Sequence, residues 1–304
     1  MRVIQKAHQA GERVVALGTF DGVHRGHRTL IREAKMLAAE KGIPLRLCTF
    51  NRHPLEVLRP DEPPELLSTI PEKASEMKHL GVDEMELIPF DKNTAEMEPE
   101  AFLERLRSLM KVRGIVAGWN YSFGRKGRGT PELLKEDGNK HGYEVLIVPP
   151  AKLTDGTVIS SSLVRQMLRE GNTEKAGELL GRSYSITGTC LPGTERNSQG
   201  ISTSVIEPWI RKALPKDGIY ACLTESRKSF LPGVLHVGTT SNMMPGETIL
   251  EIYHYGETPQ SIGQKIRVMP LKMIREEELP ASEEEMHIRM EKDWADAMKL
   301  FNMA

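Results

Sequence analysis

Gly18-Thr19-Phe20-Asp21-Gly22-Val23-His24-Arg25-Gly26-His27 stands between two different hydrophobic rhythms. Before it, Val14-Val15-Ala16-Leu17 is an unbroken apolar run, the pattern of a buried parallel strand. After it, Leu30, Ile31, Ala34, Leu37 and Ala38 recur at helical spacing across His27–Ala39. Two histidines flanking Arg25-Gly26 therefore sit where a strand turns into a helix. Such a junction offers unpaired backbone N–H groups and the positive end of a helix dipole, a seat for phosphate. Gly18, Gly22 and Gly26 let the backbone turn tightly against a ligand, and imidazoles there donate to oxygens that gain negative charge. The string matches neither a P-loop nor the Gly-x-Gly-x-x-Gly turn of a dinucleotide fold.

Outward from this turn, the first half alternates strand and helix. Leu45–Phe50, Met85–Pro89, Gly114–Ala117 and Val145–Val148 read as strands. Helices are expected near Pro71–Leu80, from Pro99 to Met110, and over Pro131–His141. The rhythm predicts a parallel sheet covered on both faces, with ligands beyond the carboxyl ends of its strands. Pro149-Pro150 ends it, and short helices follow at Ser161–Arg169 and Thr173–Leu180. Then the pattern changes to strands at Ser185–Cys190, Gly218–Thr224, Gly233–Val237, Thr248–Tyr255 and Lys265–Leu271. A helix over Ser282–Phe301 closes the chain, with Ser282 and Glu285 in capping-box spacing. The expectation is an α/β fold: a Rossmann-like parallel sheet in residues 1–182, then a small β-barrel with a C-terminal helix in 183–304.

Bulk properties narrow the class. The 304 residues suit two domains, and 39% hydrophobic with 27% charged residues is ordinary for a globular protein. A formal net charge of -1 gives no electrostatic case for nucleic acid or membrane. Cys48, Cys190 and Cys222 are far apart, which argues against structural zinc or a disulfide scaffold and suits a reducing compartment. The start, Met1-Arg2-Val3-Ile4-Gln5-Lys6, lacks a signal-peptide core, and no segment has membrane-spanning length. The expected compartment is the cytoplasm.

Three further segments carry chemistry. Thr49-Phe50-Asn51-Arg52-His53-Pro54 follows the second strand, where a loop lines the expected crevice. Gly118-Trp119-Asn120-Tyr121-Ser122-Phe123-Gly124 sets aromatics and an amide between glycines, suited to a flat ring ligand or to local packing. Ile159-Ser160-Ser161-Ser162-Leu163-Val164-Arg165 puts hydroxyls at a helix start and a guanidinium one turn in, a helix cap that also suits phosphate.

In this order the four segments resemble the bacterial FAD synthetases, which join an FMN adenylyltransferase module of the nucleotidyltransferase superfamily to a riboflavin kinase module. The resemblance runs through nearly the whole chain. It implies that His24, Gly26 and His27 contact ATP phosphates and that Ser161, Ser162 and Arg165 help hold them; Ser160 is a further binding candidate, and Arg165 is expected to neutralise departing pyrophosphate. Gly18, Phe20, Asp21 and Gly22 would shape the nucleotide turn, with Asp21 ordering the loop or assisting Mg²⁺. Asn120 and Phe123 would face flavin or nucleotide. ATP and Mg²⁺ are the implied cofactors, FMN the substrate and FAD the product. Arg52 stands where the family usually has proline.

The second half departs further. The run Gly193-Thr194-Glu195-Arg196-Asn197-Ser198-Gln199-Gly200-Ile201-Ser202-Thr203-Ser204-Val205 matches the kinase loop that holds metal and phosphate. Thr203 matches the family threonine, but Ser202 replaces proline and Val205 replaces asparagine, a side chain that neither coordinates Mg²⁺ nor hydrogen-bonds phosphate. Gly238-Thr239-Thr240-Ser241-Asn242-Met243 matches a second family run, and Glu251 matches the kinase base. The expectation is an FMN adenylyltransferase with an impaired kinase module. The alternatives are a bifunctional riboflavin kinase/FAD synthetase and a flavin-binding regulatory protein. The expected partners are FMN, ATP and riboflavin, with the oligomeric state left open.

Overall fold

The computed structural model describes residues 1–5, 10–196, 201–209, 211–225, 230–239, 248–255, 262–278 and 281–301. They form two compact units, Met1–Ser161 and Ser162–Ala304. The first contains β1 (Arg2–Ile4), β2 (Ala10–Leu17), α1 (Arg25–Glu40), β3 (Leu45–Phe50), α2 (Leu55–Leu58) and α3 (Ile70–His79). It continues with β4 (Glu84–Ile88), α4 (Lys92–Ala95), α5 (Pro99–Leu109), β5 (Met110–Gly118), α6 (Pro131–His141) and β6 (Glu144–Val148).

The strands form a six-stranded sheet in the order β1-β4-β3-β2-β5-β6. Every pair is parallel. Alternation along β2 explains why both faces are covered. Val14 and Ala16 share a core with Leu30, Ile31, Ala34 and Leu37 of α1 and Met77 of α3. Val15 and Leu17 meet Phe102, Leu103 and Leu106 of α5 and Leu134 of α6 on the other face. From β2 the chain builds outward to β3 and β4, then returns to place β5 on the opposite side. The reversal opens a crevice at the carboxyl ends of β2 and β5, where ligands of open α/β sheets bind.

The second unit holds α7 (Ser161–Arg169), whose first residue closes the first unit, and α8 (Thr173–Leu180). It continues with β7 (Ile186–Arg196), β8 (Ile201–Pro208), β9 (Gly218–Glu225), β10 (Phe230–Gly238), β11 (Ile249–Tyr255), β12 (Lys265–Glu276) and α9 (Glu283–Phe301). The strands close into an antiparallel barrel in the order β10-β11-β8-β7-β12-β9. Ile219, Ala221, Val234 and Tyr253 pack on Met290 and Ala297 of α9. Ser282 Oγ accepts from Glu285 N at 3.1 Å, and the Glu285 carboxylate accepts from Ala281 N at 2.7 Å.

The fold has the expected class and differs from the expectation in detail. β1 and β8 are strands that the hydrophobic pattern did not reveal, and β7 runs on to Arg196. The matched kinase run therefore lies in β7 and β8, apart from Asn197–Gly200, which are outside the described residues. The helices α7 and α8 group with the barrel, tied by Lys216 N to Leu168 O at 2.8 Å and Thr173 Oγ1 to Leu271 O at 2.8 Å.

Candidate active site

The turn from β2 into α1 is bent into a shape that its residues would not adopt alone. Phe20 and Val23 have φ of 51° and 47°, beside Gly22 at 77°. For a bulky or β-branched residue this left-handed region is an outlier, and such strain persists only where the surroundings over-determine it. Here they do. The Phe20 and Val23 side chains are fully buried. The Thr19 carbonyl accepts from Thr49 Oγ1 at 3.0 Å and Lys73 Nζ at 2.6 Å. The Asp21 carboxylate accepts from Leu67 N at 3.2 Å and Ser68 N at 3.0 Å, and Gly22 N donates to Ser68 Oγ at 3.0 Å. Ser161 Oγ donates to the Asp21 carbonyl at 2.9 Å.

Beside this turn lies a cavity of about 480 Å³. It gathers residues following four neighbouring strands: Gly18–Phe20, His24, Gly26 and His27 after β2, His53 and Pro54 after β3, Gly118–Gly124 after β5, and Pro149–Ala151 after β6. Ile159, Ser160 and Ser161 complete that wall. His24 is the N-cap of α1, its Nδ1 accepting from His27 N at 3.4 Å, which leaves Nε2 to carry the proton. Its ring stacks on His27 with centroids 3.7 Å apart, and Phe20 meets the edge of His27. Gly26 passes the His24 ring so closely that a Cβ there would approach to 3.1 Å.

Burial holds both rings neutral. It pushes His24 down to about 4 against the opposing charge of Asp21. It pushes His27 well below the usual histidine range, helped by the neighbouring His24 and Lys73. Among the described residues the buried His27 Nδ1 has no hydrogen-bond partner. The pair can therefore donate and accept hydrogen bonds but does not supply a cation at neutral pH.

The expected aromatic loop meets the cavity as a stack. Phe123 is buried, 5.7 Å from Tyr121 and 5.6 Å from Phe102. Trp119 and Asn120 are exposed at the rim. Asp21 and Gly22 do not line the cavity, and the Asp21 oxygens are engaged by the segment before α3. Arg52 is exposed and outside the lining. Ser162, exposed, and Arg165, half-buried, lie on α7 in the second unit.

In the barrel, strand register sets Val205 directly opposite Glu251, and Thr203 opposite Tyr253 two positions along the same face. Glu251 is buried and also faces His236 across β10. Thr240–Met243 of the second matched run fall outside the described residues.

Two residues of the site escaped the sequence reading, Ser68 and Lys73. The Thr69–Glu72 capping box at the start of α3 was the available signal, because it fixes the start of the helix that carries Lys73 and that Ser68 precedes. The residues do not form a protein-held Mg²⁺ site. The lining contains no Asp, Glu, Lys or Arg, and no group of three metal-ligating side chains occurs among the described residues.

The family described as FAD synthetase matches residues 6–163, and the one described as riboflavin kinase matches 180–301. A Bacillus subtilis protein described as a bifunctional riboflavin kinase/FMN adenylyltransferase is 31% identical, over 95% of this chain and 92% of its own length. An Escherichia coli protein of the same description is 29% identical, over 100% of this chain and 99% of its own. A solved Streptococcus pneumoniae structure described as a macrolide-efflux protein superposes with a TM-score of 0.85 at 29% identity, covering 96% of this chain and 97% of that one. No helix among the described residues is long and apolar enough to cross a membrane. Because the match runs through both units and not through the nucleotide-binding sheet alone, the chain belongs to the FAD synthetase family.

Proposed function

We propose that the first unit transfers AMP from ATP to FMN, giving FAD and pyrophosphate in the cytoplasm. An FMN phosphate oxygen bonds to the α-phosphorus as the bond to the bridging oxygen of pyrophosphate breaks. The nucleophile arrives on the substrate, so the protein need only align the two phosphates and stabilise developing charge. His24 donates from Nε2, His27 meets a phosphate oxygen through its ring, and the N-terminus of α1 adds backbone donors. Ser160 and Ser161, in the lining, are the hydroxyls placed to help hold phosphate. The aromatic stack receives the flavin or adenine ring. Mg²⁺, when bound with the nucleotide, would supply charge neutralisation at the phosphates, and the lining offers it no carboxylate. The observation that carries the reading is the stacked, neutral histidine pair in the wall of a cavity of about 480 Å³ at the sheet's reversal.

For the second unit we propose a weakened riboflavin kinase, because Val205 faces Glu251 where the resemblance calls for an asparagine. A second reading, full bifunctionality, is supported by relatives of that description that align over both units. Chromatographic product analysis with ATP and Mg²⁺, supplied separately with FMN and with riboflavin, tests both. FAD from FMN is expected, and its absence would sink the adenylyl transfer. FMN appearing from riboflavin as readily as FAD from FMN would replace the weakened kinase by the second reading.

A further inference from the structure

Lys73 is a buried cation that the transfer chemistry above does not use. It is 6% exposed on α3, and its ammonium donates to the Thr19 carbonyl at 2.6 Å, just behind the wall that His24 and His27 form. Thr19 precedes Phe20, the first of the left-handed residues, so this bond fixes the strained turn at its entry. The cavity lining carries no Lys, Arg, Asp or Glu. Behind the turn, Asp21 favours the charged form of Lys73.

We infer that Lys73 is a positioning residue for nucleotide binding, its ammonium both anchoring the Thr19 carbonyl and setting a positive charge beneath the phosphate seat. The inference rests on the adenylyl-transfer reading of this cavity. When the ammonium loses its proton, the bond to Thr19 weakens and a positive charge is lost from behind the phosphates. In a low-dielectric interior that loss disfavours an incoming polyanion.

The titratable groups facing Lys73 from the turn are Asp21, which favours the ammonium, and His27, which burial keeps neutral. Thr49 on β3 is uncharged, and Glu72 on α3 accepts from Thr69 N at 2.8 Å. Burial outweighs Asp21 and brings Lys73 down to about 8, so the switch falls within an accessible range.

The test compares wild type, Lys73→Arg and Lys73→Met in FAD formation from FMN and ATP, with titration of a non-hydrolysable ATP analogue, between about pH 7 and pH 10. The wild-type KM for ATP should rise about tenfold through that window, the loss of one charge-assisted hydrogen bond. Lys73→Arg, charged throughout, should stay flat and tight, and Lys73→Met flat and weak. The same alkaline rise in all three proteins would overturn the proposal, because a merely structural lysine shifts the level and not the shape. If the longer arginine does not fold, wild type against Lys73→Met decides alone. Absence of FAD formation in wild type would count against the proposed reaction, and the analogue titrations would still judge Lys73.

Discussion

His24 and His27 show how one placement sets chemistry. Buried and stacked, they stay uncharged at neutral pH, so in the proposed transfer they would act through directed hydrogen bonds and not as cations. Replacing His27 by Ala should lower kcat for FAD formation by about 10²–10³-fold, read by steady-state kinetics with folding checked by circular dichroism. A histidine in the barrel makes a different point. His254 is 2% exposed, and neither ring nitrogen has a partner among the described residues. Burial pulls it down to about 4 from its ordinary 6.5. The unfolded chain therefore binds the proton first as pH falls, and stability drops between those two values. The loss amounts to about 3 kcal/mol for this group. His254→Leu should remove that acid-sensitive component at little cost at pH 7, seen by urea unfolding on either side of the window. The histidine turn was legible because its residues are contiguous. Lys73 and Ser68 were not, because they reach Thr19 and Asp21 across 54 and 47 positions, a separation that no local pattern encodes.

At the scale of elements, the turn proposed to seat phosphate depends on how α3 begins. Thr69 and Glu72 cap that helix reciprocally, and the residues just before it grip Asp21. Replacing Asp21 by Asn would set an amide against two backbone N–H groups and remove the counter-charge of Lys73. The expected outcome is about 2 kcal/mol less stability, measured by thermal or denaturant unfolding. The core helices were readable from their periodicity: Pro131–His141, Ser161–Arg169 and Thr173–Leu180 have the expected limits. β1 escaped because Arg2–Ile4 is too short for a pattern and its partner β4 lies some eighty positions along the chain. β8 escaped because Ser202, Thr203 and Ser204 interrupt its apolar residues, and because its resemblance to a loop masked a strand. The left-handed Phe20 and Val23 were invisible for another reason, since neither residue type advertises that conformation.

Across the whole molecule, the switch from alternating elements to strands alone was enough to foresee two architectures. It did not foresee that α7 and α8 belong with the barrel, which is decided by bonds to Lys216 and Leu271. The two units also make separable predictions. Val205→Asn should raise FMN formation from riboflavin about tenfold, by returning a polar ligand opposite Glu251, while FAD formation from FMN stays unchanged. Separate assays with the two flavin substrates check this. The manner in which each sheet ends has a consequence for behaviour outside the native state. A closed ring of strands offers no open ladder onto which a foreign strand can grow, whereas an open sheet offers two. Among the described residues the edge strands of the open sheet are β1 and β6. Heat-induced aggregation that spreads by strand addition should therefore be seeded from the nucleotide-binding unit, and the barrel would be carried along as a passenger.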